Sequence, residues 1–210
     1  MNTSEPRLVS AETLGDLPVL WSIVERIGLV SLLDSHLPPP PLWKGPLTAG
    51  EVISLWLLFV LSQGDHCLSH VASWVEQHRF TLSALAGKSV QPSDFHDDRL
   101  ADLLNRISVD GVWRTLESDL NRQTIRVYQL PADLVRIDTT TANSYADVVS
   151  EQGLLQFGHS KDDPSRPQLK IAAAILDPLG MPLVTIVASG NLTTAQIDAS
   201  PTTARSARTL

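Results

Sequence analysis

The sequence has a single cysteine among its 210 residues. One thiol excludes an internal disulfide and a zinc site built from cysteines. Cys67 lies in a helical pattern, Asp65-His66-Cys67-Leu68, which predicts a small buried thiol. The sequence also lacks a Gly-rich phosphate loop, a GxSxG elbow and zinc-finger spacing. The common motifs of phosphate binding, serine hydrolysis and zinc fingers are therefore absent.

Long hydrophobic runs are missing as well. The most apolar stretch, Val52 to Leu61, is shorter than the roughly 20 residues that a bilayer requires. The first residues, Met1 to Pro6, are polar and do not show the basic-then-apolar order of a secretory signal. We therefore expect a cytoplasmic protein without a membrane partner.

Clusters of lysine and arginine are not present either. Residues 1–130 hold 10 basic and 15 acidic side chains, and residues 131–210 hold 6 and 8, which gives the net charge of −7. An acidic balance in both parts counts against strong nonspecific binding of nucleic acid by charge alone.

Helical periodicity dominates the first 125 or so residues. Pro18 opens a helical segment whose predicted buried face is formed by Val19, Leu20, Ile23, Val24 and Ile27. Leu32 and Leu33 prolong this segment, and the proline tract 38–41 ends it. The Thr48 to Glu51 segment has capping-box spacing and opens a helix, Val52 to Ser62, that is apolar nearly all round. Further helices are predicted over Asp65 to His78 and at the apolar faces around 100–107 and 112–120.

After Pro131 the period changes from helical to extended. Val135, Ile137 and Thr139 alternate with more polar residues, which is typical of a strand. Two more strands fit Leu169 to Leu176 and Pro182 to Ala188, joined by turn chemistry at 177–180. We expect an α+β fold in which an antiparallel hairpin lies beside the Asp138 strand.

Asp138 is the candidate catalytic and metal-binding residue. Aspartate is depleted in strands and is costly to bury without a partner. Its carboxylate would suit a divalent cation such as Mg²⁺, which prefers hard oxygen ligands. The alternative is a strand-end aspartate satisfied by turn amides. The hydroxyls of Thr139, Thr140 and Thr141 could bond a phosphate or a water near the metal, although their β-branching alone explains them in a strand.

The loop after Gly158 holds the candidate DNA contacts. His159, Ser160 and Lys161 could meet a phosphate backbone, with Lys161 as the point charge. Their acidic neighbours at 162–163 read as a solvated turn, and Arg166 and Lys170 as surface charges. His66 and His70 have zinc-compatible spacing, but a satisfied or exposed histidine pair is the stronger interpretation.

Taken together, several phrases of the chain resemble bacterial insertion-sequence transposases of the DDE type, which have an RNase H-like core. The resemblance covers roughly residues 8–191. The phrases that carry it are Phe95-His96-Asp97-Asp98-Arg99-Leu100-Ala101, Val135-Arg136-Ile137-Asp138-Thr139-Thr140, Phe157-Gly158-His159-Ser160-Lys161-Asp162, Gln168 through the hairpin with Gly180 and Pro182, and Gly190-Asn191.

The tail at 192–210 is rich in Thr, Ala and Ser and has little apolar periodicity, so we expect it to be disordered. The helical segments form an N-terminal domain at 1–128, and the resemblance implies a partial RNase H-like catalytic core at 129–191. The resemblance also implies DNA cleavage and strand transfer at insertion-sequence ends by two Mg²⁺ or Mn²⁺ ions, with Asp138 as the first of three acidic ligands. A homo-oligomer is possible.

The other two acidic ligands are not found. No glutamate follows Glu151, and Asp198 is the last acidic residue, in a tail rich in Thr and Ala. A lone carboxylate cannot position two metals, so we expect a truncated transposase without strand-transfer activity. The alternatives are a non-catalytic DNA-binding or regulatory module of a mobile element, and an unstable remnant without a role.

Overall fold

The computed structural model describes residues 11–38, 43, 45–148, 150, 153–159 and 163–198. It combines helices with a three-stranded antiparallel sheet, so the fold class is α+β, as predicted. The chain divides into two compact units between Leu116 and Glu117. We call the part up to Leu116 the helical unit and the part from Glu117 the sheet unit. The predicted helical domain extends further, to residue 128, where the helix that contains this boundary ends.

The described residues form eight α-helices and a short 3-10 helix. The 3-10 helix spans Pro92–Phe95. The α-helices are α1 (Leu17–Ile27), α2 (Leu29–His36), α3 (Ala49–Gln63), α4 (Leu68–Gln77), α5 (Arg79–Ala86), α6 (Asp97–Ile107), α7 (Asp110–Tyr128) and α8 (Thr194–Asp198).

Helix α1 begins with Pro18 in its first turn, where the missing N–H costs no helical hydrogen bond. Its buried residues are Leu17, Trp21 and Val24, which lie on one face. Gly28 ends the helix with φ 73°, a left-handed conformation that glycine adopts without strain. The predicted continuous helix is therefore two helices, α1 and α2.

Helix α3 is the centre of the helical unit. The predicted capping box is confirmed: the Glu51 N–H donates to Thr48 Oγ1 at 3.2 Å, and the Thr48 N–H donates to Glu51 Oε2 at 2.7 Å. Val52, Leu55 and Leu58 are fully buried. This burial explains why the sequence of α3 is apolar on nearly every side.

The sheet unit contains β1 (Val135–Asn143), β2 (Gln168–Leu176) and β3 (Met181–Ser189) in the order β1-β2-β3. Both pairs are antiparallel. The bounds of the second and third predicted strands are confirmed to within one residue, and β1 begins as predicted but continues to Asn143. A bulge between Ala174 and Ile175 of β2 shifts the register against β3.

The predicted disordered tail, 192–210, begins with described structure. Helix α8 (Thr194–Asp198) lies in this stretch, and Ile197 is buried. Residues 199–210 lie outside the described residues.

Across the described ranges, none of the helices taken alone combines the length and apolar character that a bilayer crossing needs. Joined, α3 and α4 meet the length and composition criteria, but these two helices are bent by 91° relative to each other.

Candidate functional site

Asp138 lies in the middle of β1, where its side chain is exposed. The register places it directly opposite Ala173 of β2, and Ala173 opposite Thr185 of β3. Asp138 Oδ1 accepts a hydrogen bond from the backbone N–H of Thr139 at 2.8 Å. Its cross-strand neighbour is a small alanine, so the carboxylate has open space beside it. A strand-borne, accessible carboxylate is the geometry that a hard cation needs from one ligand.

Only one of the three neighbouring threonines shares this face of the sheet. Successive side chains of a strand point to opposite faces, so Thr140 lies on the Asp138 face and Thr139 and Thr141 on the other. Thr140 lies opposite Ile171 of β2. One hydroxyl therefore accompanies the carboxylate.

Asp138 does not belong to a cluster of metal ligands in the part of the chain that the structure describes. Within that part, no group of three or more His, Cys, Asp or Glu side chains could hold a metal ion. Asp177 lies four residues beyond Ala173, about 13 Å along the strand direction. Its carboxylate is paired with Arg136 at 2.6 Å. The side chain of Asp198 lies outside the described residues.

The structure does not bring His159 close to Asp138. The His159 backbone oxygen accepts from Gln168 Nε2 at 3.1 Å, and the His159 side chain is exposed. Gln168 is five residues from Ala173 along β2, about 17 Å, and its side chain points to the opposite face from Asp138. Ser160 and Lys161 lie outside the described residues. Asp138 and His159 are therefore separate features of the sheet unit.

Gln168 joins three segments whose significance the sequence reasoning missed. Its side chain is fully buried, and its Nε2 donates to the carbonyls of His159 and of Gly190, the latter at 2.8 Å. A Cβ on Gly158 would lie 2.2 Å from the Gly190 oxygen, and a Cβ on Gly190 would lie 2.0 Å from the Gln168 oxygen. We call Gly158, Gln168 and Gly190 the glycine–glutamine junction. The signal was available: all three belong to the phrases that carry the resemblance.

The two basic residues near this junction are Lys170, which is buried, and Arg166, which contacts other side chains of the sheet unit. Lys170 of β2 is only 9% exposed, so its interpretation as a surface charge is wrong. Alternation in β2 places it on the covered face with Gln168. Arg166 pairs with Asp163 at 2.7 Å and lies 3.8 Å over the Tyr145 ring. Hydrogen bonds from Ser165 and then from Arg166 lower the pKa of Asp163.

The histidine pair does not form a metal site. Helix α4 begins at Leu68, so His66 and His70 do not share a helix face. His70 Nδ1 lies 2.7 Å from Asp65 Oδ2, and this hydrogen bond is the main cause of the lowered pKa of Asp65. Cys67 precedes the helix and is exposed, so the prediction of a buried thiol is wrong.

Comparison with known protein families gives a match to part of the chain. The model of the family described as a domain of unknown function (DUF4277) matches residues 9–118, just over half of the chain. No curated protein and no solved structure matches the chain. The chain therefore belongs to the DUF4277 family.

Proposed function

We propose that this chain is part of a DDE-type transposase of an insertion sequence, in which Asp138 is one of three acidic ligands for the catalytic metal ions. In the intact protein the reaction is metal-dependent DNA cleavage and strand transfer. The observation that carries the proposal is the position of Asp138: an exposed carboxylate in the middle of the edge strand β1, beside a small alanine of β2. An RNase H-like core in the intact protein belongs to the same proposal.

The 210-residue chain, tested alone, is expected to lack strand-transfer activity. Two-metal catalysis requires several carboxylates that hold the cations about 3.5–4 Å apart. Asp138 has no acidic neighbour among the described residues of β2 or β3. One carboxylate binds Mg²⁺ or Mn²⁺ weakly and does not fix the position of a second ion.

Metal binding is the first test, because it does not require a known DNA sequence. Titration with Mn²⁺ should broaden the NMR signals of residues around Asp138 at millimolar concentration. The Asp138→Asn variant should lose this broadening, whereas Asp133→Asn, an exposed aspartate before β1, should retain it. Equal broadening in the wild type and Asp138→Asn would contradict the assignment of Asp138 as a ligand.

Nicking of supercoiled plasmid with Mg²⁺ or Mn²⁺ tests the activity itself. We expect the wild type to match Asp138→Asn at background level. Nicking that the wild type shows and Asp138→Asn lacks would refute the predicted inactivity while supporting the role of Asp138. Broadening without nicking is the combined result that the proposal requires.

A second candidate function is a non-catalytic DNA-binding or regulatory module. What supports it is the helical unit, because α-helices are elements that can enter the major groove of DNA. A gel-shift titration with insertion-sequence end DNA and with random DNA of equal length tests it. Salt-dependent binding to the end DNA alone would support the module, and no binding to either DNA at low salt would refute it.

A further inference from the structure

The outer edge of β3 has no strand beside it in the described sheet, because β3 is the last strand in the order β1-β2-β3. The bulge in the β2–β3 pairing leaves one residue of β3 without a partner residue on β2. Val184 pairs with Ala174 and Pro182 with Ile175, so Leu183 has no partner residue on β2. A buried carbonyl without a donor costs about 1–3 kcal/mol. The carbonyl of the buried Leu183 therefore needs a donor from elsewhere in the sheet unit.

Two side chains of α7 supply those partners. Asn121 Nδ2 donates to the Leu183 carbonyl, and the Asn121 side chain is buried. The Glu117 carboxylate accepts from the backbone N–H of Thr185. Glu117 and Asn121 are four residues apart, so they lie on one face of the helix. Leu183 and Thr185 are two residues apart, so their main-chain groups point to the same strand edge.

The charge of Glu117 is not neutralised in this setting. β3 contains no charged residue. On α7, Arg114 pairs with Asp110 at 3.4 Å and Arg122 pairs with Asp119 at 2.6 Å. Only burial and the Thr185 hydrogen bond account for the shifted pKa of Glu117, and no charged group is among the causes. A half-buried carboxylate thus faces an uncharged strand edge through one backbone N–H.

We infer that Glu117 and Asn121 form a two-point latch that closes the outer edge of β3, and that this latch loosens as the pH rises. The ionised form of Glu117 has to be desolvated when the latch closes, whereas the protonated form does not. The device is independent of the proposed function, because neither residue lies near Asp138: Thr185 is two strands away from it, about 10 Å.

The direction of the pH effect follows from the environment of the carboxyl group. Burial raises the pKa of Glu117, and the hydrogen bond from Thr185 lowers it by less, so the net shift is upward. A pKa that is higher in the folded state means that protons favour the folded state. The stabilisation is complete below the ordinary pKa of 4.5 and is lost as the pH rises through the raised value.

Amide hydrogen exchange at Thr185 in the full chain tests this inference. We compare the wild type with Glu117→Gln from pH 4 to pH 8, at each pH separately, because intrinsic exchange itself depends on pH. Gln retains a carbonyl oxygen for the Thr185 N–H but carries no charge. We expect equal protection near pH 4 and several-fold greater protection in the variant at pH 8.

Asp119→Asn is the matched control, because it removes a carboxylate from the same helix two residues away. It should leave the protection of Thr185 equal to that of the wild type at every pH. A constant ratio between Glu117→Gln and the wild type across the pH range would overturn the inference. Lower protection in Glu117→Gln at pH 8 would do so as well, since the charged hydrogen bond would then outweigh desolvation.

Asn121→Asp provides a second test that does not depend on Glu117. A protonated Asp donates its O–H to the Leu183 carbonyl, whereas an ionised Asp places two acceptors face to face. The variant should therefore lose protection along β3 more steeply with rising pH than the wild type does. Equal pH profiles for the variant and the wild type would show that Asn121 does not hold the strand edge.

Discussion

Replacement of Gln168 with methionine should destabilise the sheet unit by about 1–2 kcal/mol, because the loss of two hydrogen bonds exceeds the gain from removing Oε1, which is buried without a hydrogen-bond partner among the described residues. Methionine has nearly the same volume, so the cavity contribution is small. The change removes Nε2, which donates to the carbonyls of Gly190 at 2.8 Å and His159 at 3.1 Å. Each bond contributes about 1 kcal/mol net, and a carbonyl left unsatisfied in the buried junction adds to the loss.

Gln156→Met is the matched control, because the Gln156 amide also donates two hydrogen bonds, to Ser150 at 2.7 Å and Gly153 at 3.1 Å. These groups are accessible to water, which replaces the lost donor, so we expect less than about 1 kcal/mol.

Amide exchange in 156–190, read as a function of urea concentration, gives the free energy of opening for this region. All five tryptophans lie between positions 21 and 113, so their fluorescence follows the helical unit separately. Equal destabilisation by Gln168→Met and Gln156→Met would refute the argument that burial makes the Gln168 hydrogen bonds decisive.

Three further changes test other parts of the structure by urea unfolding. Gly190→Ala places a Cβ 2.0 Å from the backbone oxygen of Gln168 and should lower the free energy of unfolding of the sheet unit by about 3 kcal/mol. Gly111→Ala is the control: its Cβ would have no atom within 4 Å, so it should not lower the stability. Thr48→Ala should cost the helical unit about 1 kcal/mol, and Thr48→Ser should recover most of it. Burial raises the pKa of Glu12, but hydrogen bonds from the start of α5 lower it more, so the net shift is downward. Glu12→Gln should therefore destabilise the helical unit at pH 7, and the difference from the wild type should disappear as the pH falls below the lowered pKa. A difference in stability that persists at low pH would contradict this role of Glu12.

Features that depend on local sequence were predicted well. The capping box at Thr48 and the three strands of the sheet unit are confirmed. Capping needs only two side chains three residues apart, and strand alternation needs only a period of two. The turn between β2 and β3 also follows from its own residues, with Gly180 at φ 68°.

The buried face of α1 and the first residue of α4 were predicted less well, because in each case the sequence allows more than one arrangement. Val19 and Ile23 fit a helical apolar stripe, yet they are 63% and 41% exposed, because α1 buries Trp21 and its neighbours instead. Helix α4 begins three residues late because the Asp65 carboxylate accepts from the Cys67 N–H at 2.8 Å and holds a turn there. A period alone does not reveal which of two overlapping stripes meets the core.

The sequence also could not show how the candidate residues share space. Asp138 and His159 appear in neighbouring phrases of the chain, but the pairing of Asn143 with Gln168 puts the loop at the far end of the strand from Asp138. The buried role of Gln168 depends on three segments that are distant in sequence. Only the register of the sheet brings them together.

If Asp138 is a metal ligand, as proposed, the sheet limits the directions from which a second acidic ligand can reach it. Leu134 O accepts from Asp177 and the Ser144 N–H donates to Pro167, so even-numbered residues of β1 bond toward β2. The main-chain groups of odd-numbered residues therefore point to the outer edge, where Asp138 Oδ1 accepts from the Thr139 N–H. On the β2 side Asp138 meets only Ala173 and, beyond it, Thr185. A second carboxylate must therefore approach either from the outer edge of β1 or from above the exposed face of the sheet. A carboxylate at the outer edge would compete with Asp138 for the Thr139 N–H, whereas a carboxylate above the face would not.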